Sequence, residues 1–207
     1  MELILRQERV VEIPWVEKRI KGKVILDVGC CESNFCLHLA KKGYTVYGVD
    51  YNDYDIEYNK DEYKNFTFVK WDVTTLPPFE NEFFDTVYAI STLEHFGLGF
   101  YGDTINRFGD VIAMMNIKNL TRKGGRILVT LPYGKSRLYK YKSVKDFYRV
   151  YDGYNINLLF DGLNILEMQG FKANNGKWSE CDIKDMEDMY WEGVEAKSIV
   201  CISAEKR

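Results

Sequence analysis

Short runs of β-branched and apolar residues recur along the chain, separated by longer mixed segments. This alternation constrains the fold more than any other feature. KVILDV (23–28), TVYGVD (45–50), FTFVKWD (66–72), FFDTVYAI (83–90) and RILVTLP (126–132) each read as a strand. SNFCLHLAKKG, stopped by Gly43, reads as a helix. So do residues 108–121, where Val111, Met114, Met115 and Leu120 fall near helical spacing and KGG closes the segment. Further strands are expected around 163–173 and at KSIVCIS (197–203). Strands this uniformly apolar must be covered on both faces, which predicts a mostly parallel α/β sheet with helices on each side. In such sheets ligands bind beyond the carboxyl ends of the strands, near the switch in strand order. No Pro/Gly/Ser-rich linker divides the 207 residues, so one domain over 1–207 is expected, with a helical extension at 1–22.

Composition narrows the function. The chain is 46% hydrophobic and 29% charged with a net charge of -3, which suits a packed core and gives no global signature of a nucleic-acid binder. Cys30, Cys31, Cys36, Cys181 and Cys201 are odd in number and form no C-x-x-C. His38 and His95 are the only histidines, so neither a disulfide framework nor a metal site is suggested. The first twenty residues hold no apolar run long enough for a signal peptide or a membrane span, and reduced thiols in the cytoplasm are the expectation. The GKS at 134–136 is no phosphate loop, because position 129 is Val where that motif requires Gly.

The residues just after each strand carry the chemistry. DVGCCESNF follows the first, and Gly29 supplies the turn and lets a ligand approach the backbone. A nicotinamide-dinucleotide fingerprint wants glycine also where Cys31 and Asn34 stand, which disfavours that reading. Asp50, after the second strand, is placed to accept both ribose hydroxyls of a nucleoside. Asp72 and Val73, after the third, are placed to meet an adenine edge and face.

VILDVGC, YGVD, WDVTTLPPFENEFFDTVYAISTLEH and LTRKGGRILVTLP, in that order, resemble a class I S-adenosylmethionine-dependent methyltransferase over about residues 23–132. ISTLEHFGLGFYGD and LVTLPYGKS are similar to a subgroup of small members associated with surface-glycan or sugar-metabolite biosynthesis. The resemblance implies a Rossmann-like three-layer sandwich whose seven-stranded, mostly parallel sheet ends in an antiparallel last strand. It implies S-adenosylmethionine as cofactor. Asp27, Gly29 and Cys30 would lie under its methionine part, Asp50 on the ribose, and Tyr51, Asp72 and Val73 around the adenine. Ile90 and Ser91 would complete the floor. The family loop reads G-x-G-x-G, and Cys31 and Ser33 replace its second and third glycines.

Methyl transfer to a hydroxyl needs an aligned acceptor and a proton acceptor. His95 lies just past the fourth strand and suits that task, as base or as positioning residue, with Glu94 to orient it. If that segment is helical, Ser91 and His95 share a face. The Gly- and aromatic-rich FGLGFYGD (96–103) is expected to form a mobile lid in which Tyr101 closes over the acceptor and Asp103 accepts from a sugar hydroxyl.

Residues 133–195 are expected to supply the acceptor side. Between 135 and 149 six basic residues face one acid, interleaved with aromatics, and Tyr133, Arg149 and Tyr151 are the substrate candidates there. Between 180 and 195 seven acids face Lys184, so the two segments are also candidates for mutual neutralisation or a homodimer contact. The expected partner is a small, anionic acceptor such as a nucleotide- or phosphate-linked sugar, O-methylated. An RNA or protein methyltransferase, or a silent binding subunit, are the alternatives.

Overall fold

Ile25 and Leu26 are neighbours in the first strand, are both fully buried, and belong to two different cores. Successive side chains of a strand point to opposite faces, so this alternation is the signature of a sheet covered on both sides. The computed structural model describes residues 7–31, 33–53, 61–142 and 145–207. In chain order the regular elements begin with α1 (Arg9–Glu17), β1 (Val24–Val28), α2 (Phe35–Lys41), β2 (Thr45–Asp50), β3 (Phe66–Lys70) and β4 (Phe84–Ile90). Then come α3 (Gly109–Leu120), β5 (Thr121–Pro132), β6 (Arg137–Tyr141), β7 (Lys145–Val150) and α4 (Gly153–Leu159). The chain closes with β8 (Leu163–Asn174), β9 (Lys177–Cys181) and β10 (Ser198–Lys206).

The main sheet runs β3-β2-β1-β4-β5-β10-β8-β9. Its first five strands are mutually parallel, and β10 is antiparallel to both β5 and β8. One core packs α1 and α2 against Ile25, Val46, Tyr88 and Leu128. The other packs α3 and α4 against Leu26, Val87, Ile127 and Val129. The strand order reverses between β1 and β4, so the crevice beyond these two strands is where a ligand is expected.

The sheet has eight strands rather than the expected seven. Asn175 and Gly176 both take positive φ, at 50° and 76°, and close a two-residue hairpin that folds β9 back onto β8. A second departure is the basic-aromatic stretch, which forms a separate antiparallel hairpin, β6–β7. A third is KGG, which lies inside β5 as an irregularity: Thr121 pairs with Phe84, and pairing resumes only at Arg126 with Thr86. Among the described residues no helix is long and apolar enough to cross a membrane.

Candidate active site

A cavity of about 560 Å³ opens beyond the carboxyl ends of β1, β2 and β4. Gly29 begins its floor. The φ of +80° there suits glycine, and a Cβ would sit 2.3 Å from the Thr92 side chain. The loop after β1 is tied to the end of β2, since Gly29 and Cys30 both donate their N–H to the Val49 carbonyl. The Asp50 carboxylate accepts from the backbone N–H of Cys31 at 3.2 Å and of Asn52 at 3.1 Å, which fixes its orientation at the cavity wall. Neither Cys31 nor Ser33 has positive φ, so the backbone does not require glycine at these two positions. Ser33 instead accepts the Phe35 N–H at the start of α2.

Ser91 ends β4 in a left-handed conformation, φ 44°, rare for a side chain-bearing residue. Its N–H meets Thr130, and its hydroxyl donates to Glu12 Oε1 at 2.6 Å. Thr130 donates to the same oxygen at 2.7 Å, and Arg9 pairs with the other Glu12 oxygen. Glu12 is fully buried, so α1 is latched across the ends of β4 and β5 by a charge with every partner in place. The latch carries Gln7, Glu8 and Arg9 into the cavity wall. Burial works against the Arg9 charge, but Glu12 and Glu8 hold its pKa above the ordinary value.

Beyond Ser91 the chain turns into a short 3-10 helix, Leu93–His95. Ser91 precedes it, so the expected shared helical face with His95 does not form. His95 Nδ1 lies 2.7 Å from the Phe147 carbonyl, an acceptor only, so Nδ1 carries the proton and Nε2 keeps a lone pair. Burial pushes the His95 pKa down from 6.5 to about 4, against the hydrogen bond it donates to the Phe147 carbonyl and with Arg9 and Arg149 adding to the fall. Tyr101, Phe147 and Tyr148 stand around the ring, with centroids 5.0 to 6.3 Å away. Glu94 is buried against the same cavity, and its Oε2 has no hydrogen-bond partner. Burial, reinforced by the Glu12 charge, raises its pKa well above the carboxylate range.

Nine of the sequence-predicted residues line this one cavity: Gly29, Asp50, Tyr51, Val73, Ser91, Glu94, His95, Tyr101 and Asp103. The others do not. Asp27 is buried behind the loop and accepts from the Tyr88 hydroxyl at 2.7 Å; burial raises its pKa to about 7. Cys30 is fully buried beneath the loop. Ile90 is half-buried and away from the wall. Asp72 also stays off the wall, where its Oδ1 accepts from the Thr74 N–H and hydroxyl, closing a turn. Tyr133 is buried, pairing through its backbone with Tyr151, whose hydroxyl donates to Asp110. Arg149 donates to the Phe96 carbonyl at 2.7 Å and pairs with Asp110, which makes it a structural brace.

Three hydrogen bonds tie the loop 96–103 to itself and to its surroundings. Asp103 accepts from the Gly97 N–H, Tyr51 donates to the Gly102 carbonyl and Lys145 donates to the Phe100 carbonyl. Its glycines at 97, 99 and 102 all have positive φ, so they serve tight turns. Sequence reasoning missed the contribution of the N-terminal helix and of Val194, Glu195 and Ala196 to the wall. The available signal was a charged pair, Arg9 and Glu12, one turn apart among apolar residues.

Among the described residues, Glu8, Asp50, Glu94, Asp103 and Glu195 line the cavity against one cation, Arg9. Residues 26–129 match the methyltransferase domain family. The chain belongs to that family. It is an enzyme, a methyltransferase, and its cofactor is S-adenosylmethionine. The cavity fits that group on its own terms: a carboxylate stands after β2, Val73 offers an apolar face after β3, and the acids and aromatic rings suit a cationic sulfur.

No curated protein matches the chain in sequence. In fold it is similar to a SAM-dependent methyltransferase of Methanosarcina mazei, at 14% identity and TM-score 0.64 over 93% of this chain and 97% of that one. It is also similar to the 1,6-didemethyltoxoflavin-N1-methyltransferase of Burkholderia thailandensis, solved with its substrate and S-adenosylhomocysteine, at 15% identity and TM-score 0.64 over 95% and 75%. The cyclase SpnF shares the fold as well, at 14% identity and TM-score 0.62 over 94% and 79%.

Proposed function

We propose that this enzyme O-methylates a small, neutral acceptor, a sugar or sugar-derived hydroxyl compound, in the cytoplasm. The observation that carries the reading is the pairing of an unprotonated His95 Nε2 with a cavity of acids and aromatic rings. Aromatic faces pack against the C–H face of a sugar, and Asp103 Oδ1, buried with no hydrogen-bond partner, is an acceptor for a sugar hydroxyl. The anionic group expected from the sequence finds no support at this cavity, because its lining is acidic and Arg149 is committed elsewhere.

When bound, the cofactor supplies an electrophilic methyl on a cationic sulfur. The chain's residues do the rest. Asp50 would accept the ribose hydroxyls, and Asp103 would favour positive charge in the cavity. His95 Nε2 would accept the hydrogen bond of the acceptor hydroxyl and take its proton as the methyl passes to that oxygen and its bond to sulfur breaks. Phe147, through its carbonyl, holds the imidazole in the tautomer this requires. Phe96, Tyr101 and Tyr148 exclude water.

Incubation with methyl-labelled cofactor and pooled sugars, nucleotide sugars, RNA and protein tests the reading by mass spectrometry. Label on a neutral sugar hydroxyl is expected, and label confined to RNA, protein or anionic compounds would refute it.

A further inference from the structure

A second cavity, of about 740 Å³, lies on the other side of the wall formed by Phe96–Gly97 and Arg149. Its size is that of a small-molecule site. Leu98, Ile105, Phe108, Val111, Leu138 and Leu158 supply an apolar interior. Ile105 is 82% exposed, and Phe108 and Leu158 are each 53% exposed, large apolar surface that a soluble chain ordinarily covers. Five cationic side chains also line the cavity, against the two carboxylates of Asp110 and Asp146. Asp110 pairs with Arg149, and Asp146 lies 3.6 Å from Lys140, its Oδ1 making no hydrogen bond. The remaining cations, Arg107, Arg137 and Lys145, meet only neutral groups among the described residues. Arg107 stacks on Phe108, Arg137 donates to the carbonyls of Lys135 and Trp191, and Lys145 donates to that of Phe100.

We infer that this cavity is a binding site for a small amphipathic anion, an apolar body bearing one phosphate or carboxylate, separate from the methyl-transfer cavity. The basic stretch seen in the sequence gathers here and not at the reacting centre. The acidic segment 180–195 does not neutralise it: Asp185 pairs with Lys172 and Glu195 with Lys197, and among the described residues no ion pair joins the two segments.

The test uses 8-anilinonaphthalene-1-sulfonate as a fluorescent amphipathic anion on the full chain saturated with S-adenosylhomocysteine. A saturable, one-site rise in fluorescence is expected, unchanged by more S-adenosylhomocysteine. 1-Naphthyl phosphate should displace the dye, and neutral 1-naphthol should not. Arg107→Ala with Lys145→Ala removes two cations and should weaken dye binding about tenfold. Leu138→Glu, which sets an acid in the cavity, should weaken it at least as much and keeps the test open if the double variant does not fold. Leu76→Ser, at a residue 90% exposed and outside the cavity, should change nothing. No saturable rise, displacement by S-adenosylhomocysteine, equal displacement by 1-naphthol, or unaltered binding in folded cavity variants would each overturn the site.

Discussion

Replacing His95 by Gln should flatten the acid side of the stability curve. In the folded chain its pKa lies near 4, below the ordinary 6.5. The unfolded chain therefore takes up a proton as the pH falls through 6.5, while the folded chain refuses it until about 4. Stability present above the upper value is lost progressively towards the lower one. The whole shift is worth about 3 kcal/mol, of which about 2 kcal/mol is lost between about pH 7 and about pH 5. Asp27 and Glu94 work in the opposite direction, since their folded pKa values are raised. They remain in the variant and cancel in the comparison. Urea unfolding of wild type and His95→Gln at the two pH values isolates the histidine. The variant should lose about 2 kcal/mol less on acidification than wild type. The same groups should give kcat/KM an acid limb near pH 4 in the wild type. Equal acid losses in the two proteins, or a limb near 6.5 that vanishes in the variant, would refute the neutral, buried imidazole.

Other residues give sharp expectations. Gly29→Ala should lower stability by about 1–3 kcal/mol in thermal or urea unfolding, through strain at positive φ and collision with Thr92. Glu12→Ala strands Arg9 and frees two hydroxyls, so it should cost about 3–5 kcal/mol and weaken S-adenosylhomocysteine binding as α1 loosens, read by unfolding and calorimetry. Asp27 has its pKa raised to about 7, so its contribution falls as pH rises from 3.8 through 7. Asp27→Asn should therefore lose less stability than wild type over that interval, measured by urea titration at several pH values.

Much of the fold is legible in the sequence because buried parallel strands are written as continuous apolar runs. TVYGVD reads as a strand over the residues of β2, and FFDTVYAI misses β4 by one residue. The hairpin of β8 and β9 goes unread: Asn-Gly is its turn signal, but charged residues in KWSEC obscure the edge strand. Positions at or near strand ends bring Gly29, Asp50 and Val73 to the cavity wall. They do not where a residue is engaged locally: Asp72 closes its own turn, and Arg149 braces carbonyls. Net charge along the basic stretch says nothing about which cavity its side chains reach. Along β7, Phe147 and Tyr148 line the methyl-transfer cavity, while Lys145, Asp146, Arg149 and Val150 line the other. The contribution of α1 is a tertiary effect, set by Glu12 reaching Ser91 and Thr130, which lie 79 and 118 residues away in the chain.

The central claim is that the cavity at the ends of β1, β2 and β4 holds the cofactor with Asp50 on its ribose. Calorimetric titration with S-adenosylhomocysteine tests it most directly. One-to-one binding is expected for the wild type. Asp50→Ala should bind about 100-fold more weakly, as two hydrogen bonds to a charged carboxylate are lost. Absence of binding to the folded wild type, or equal affinity in the two proteins, would contradict it.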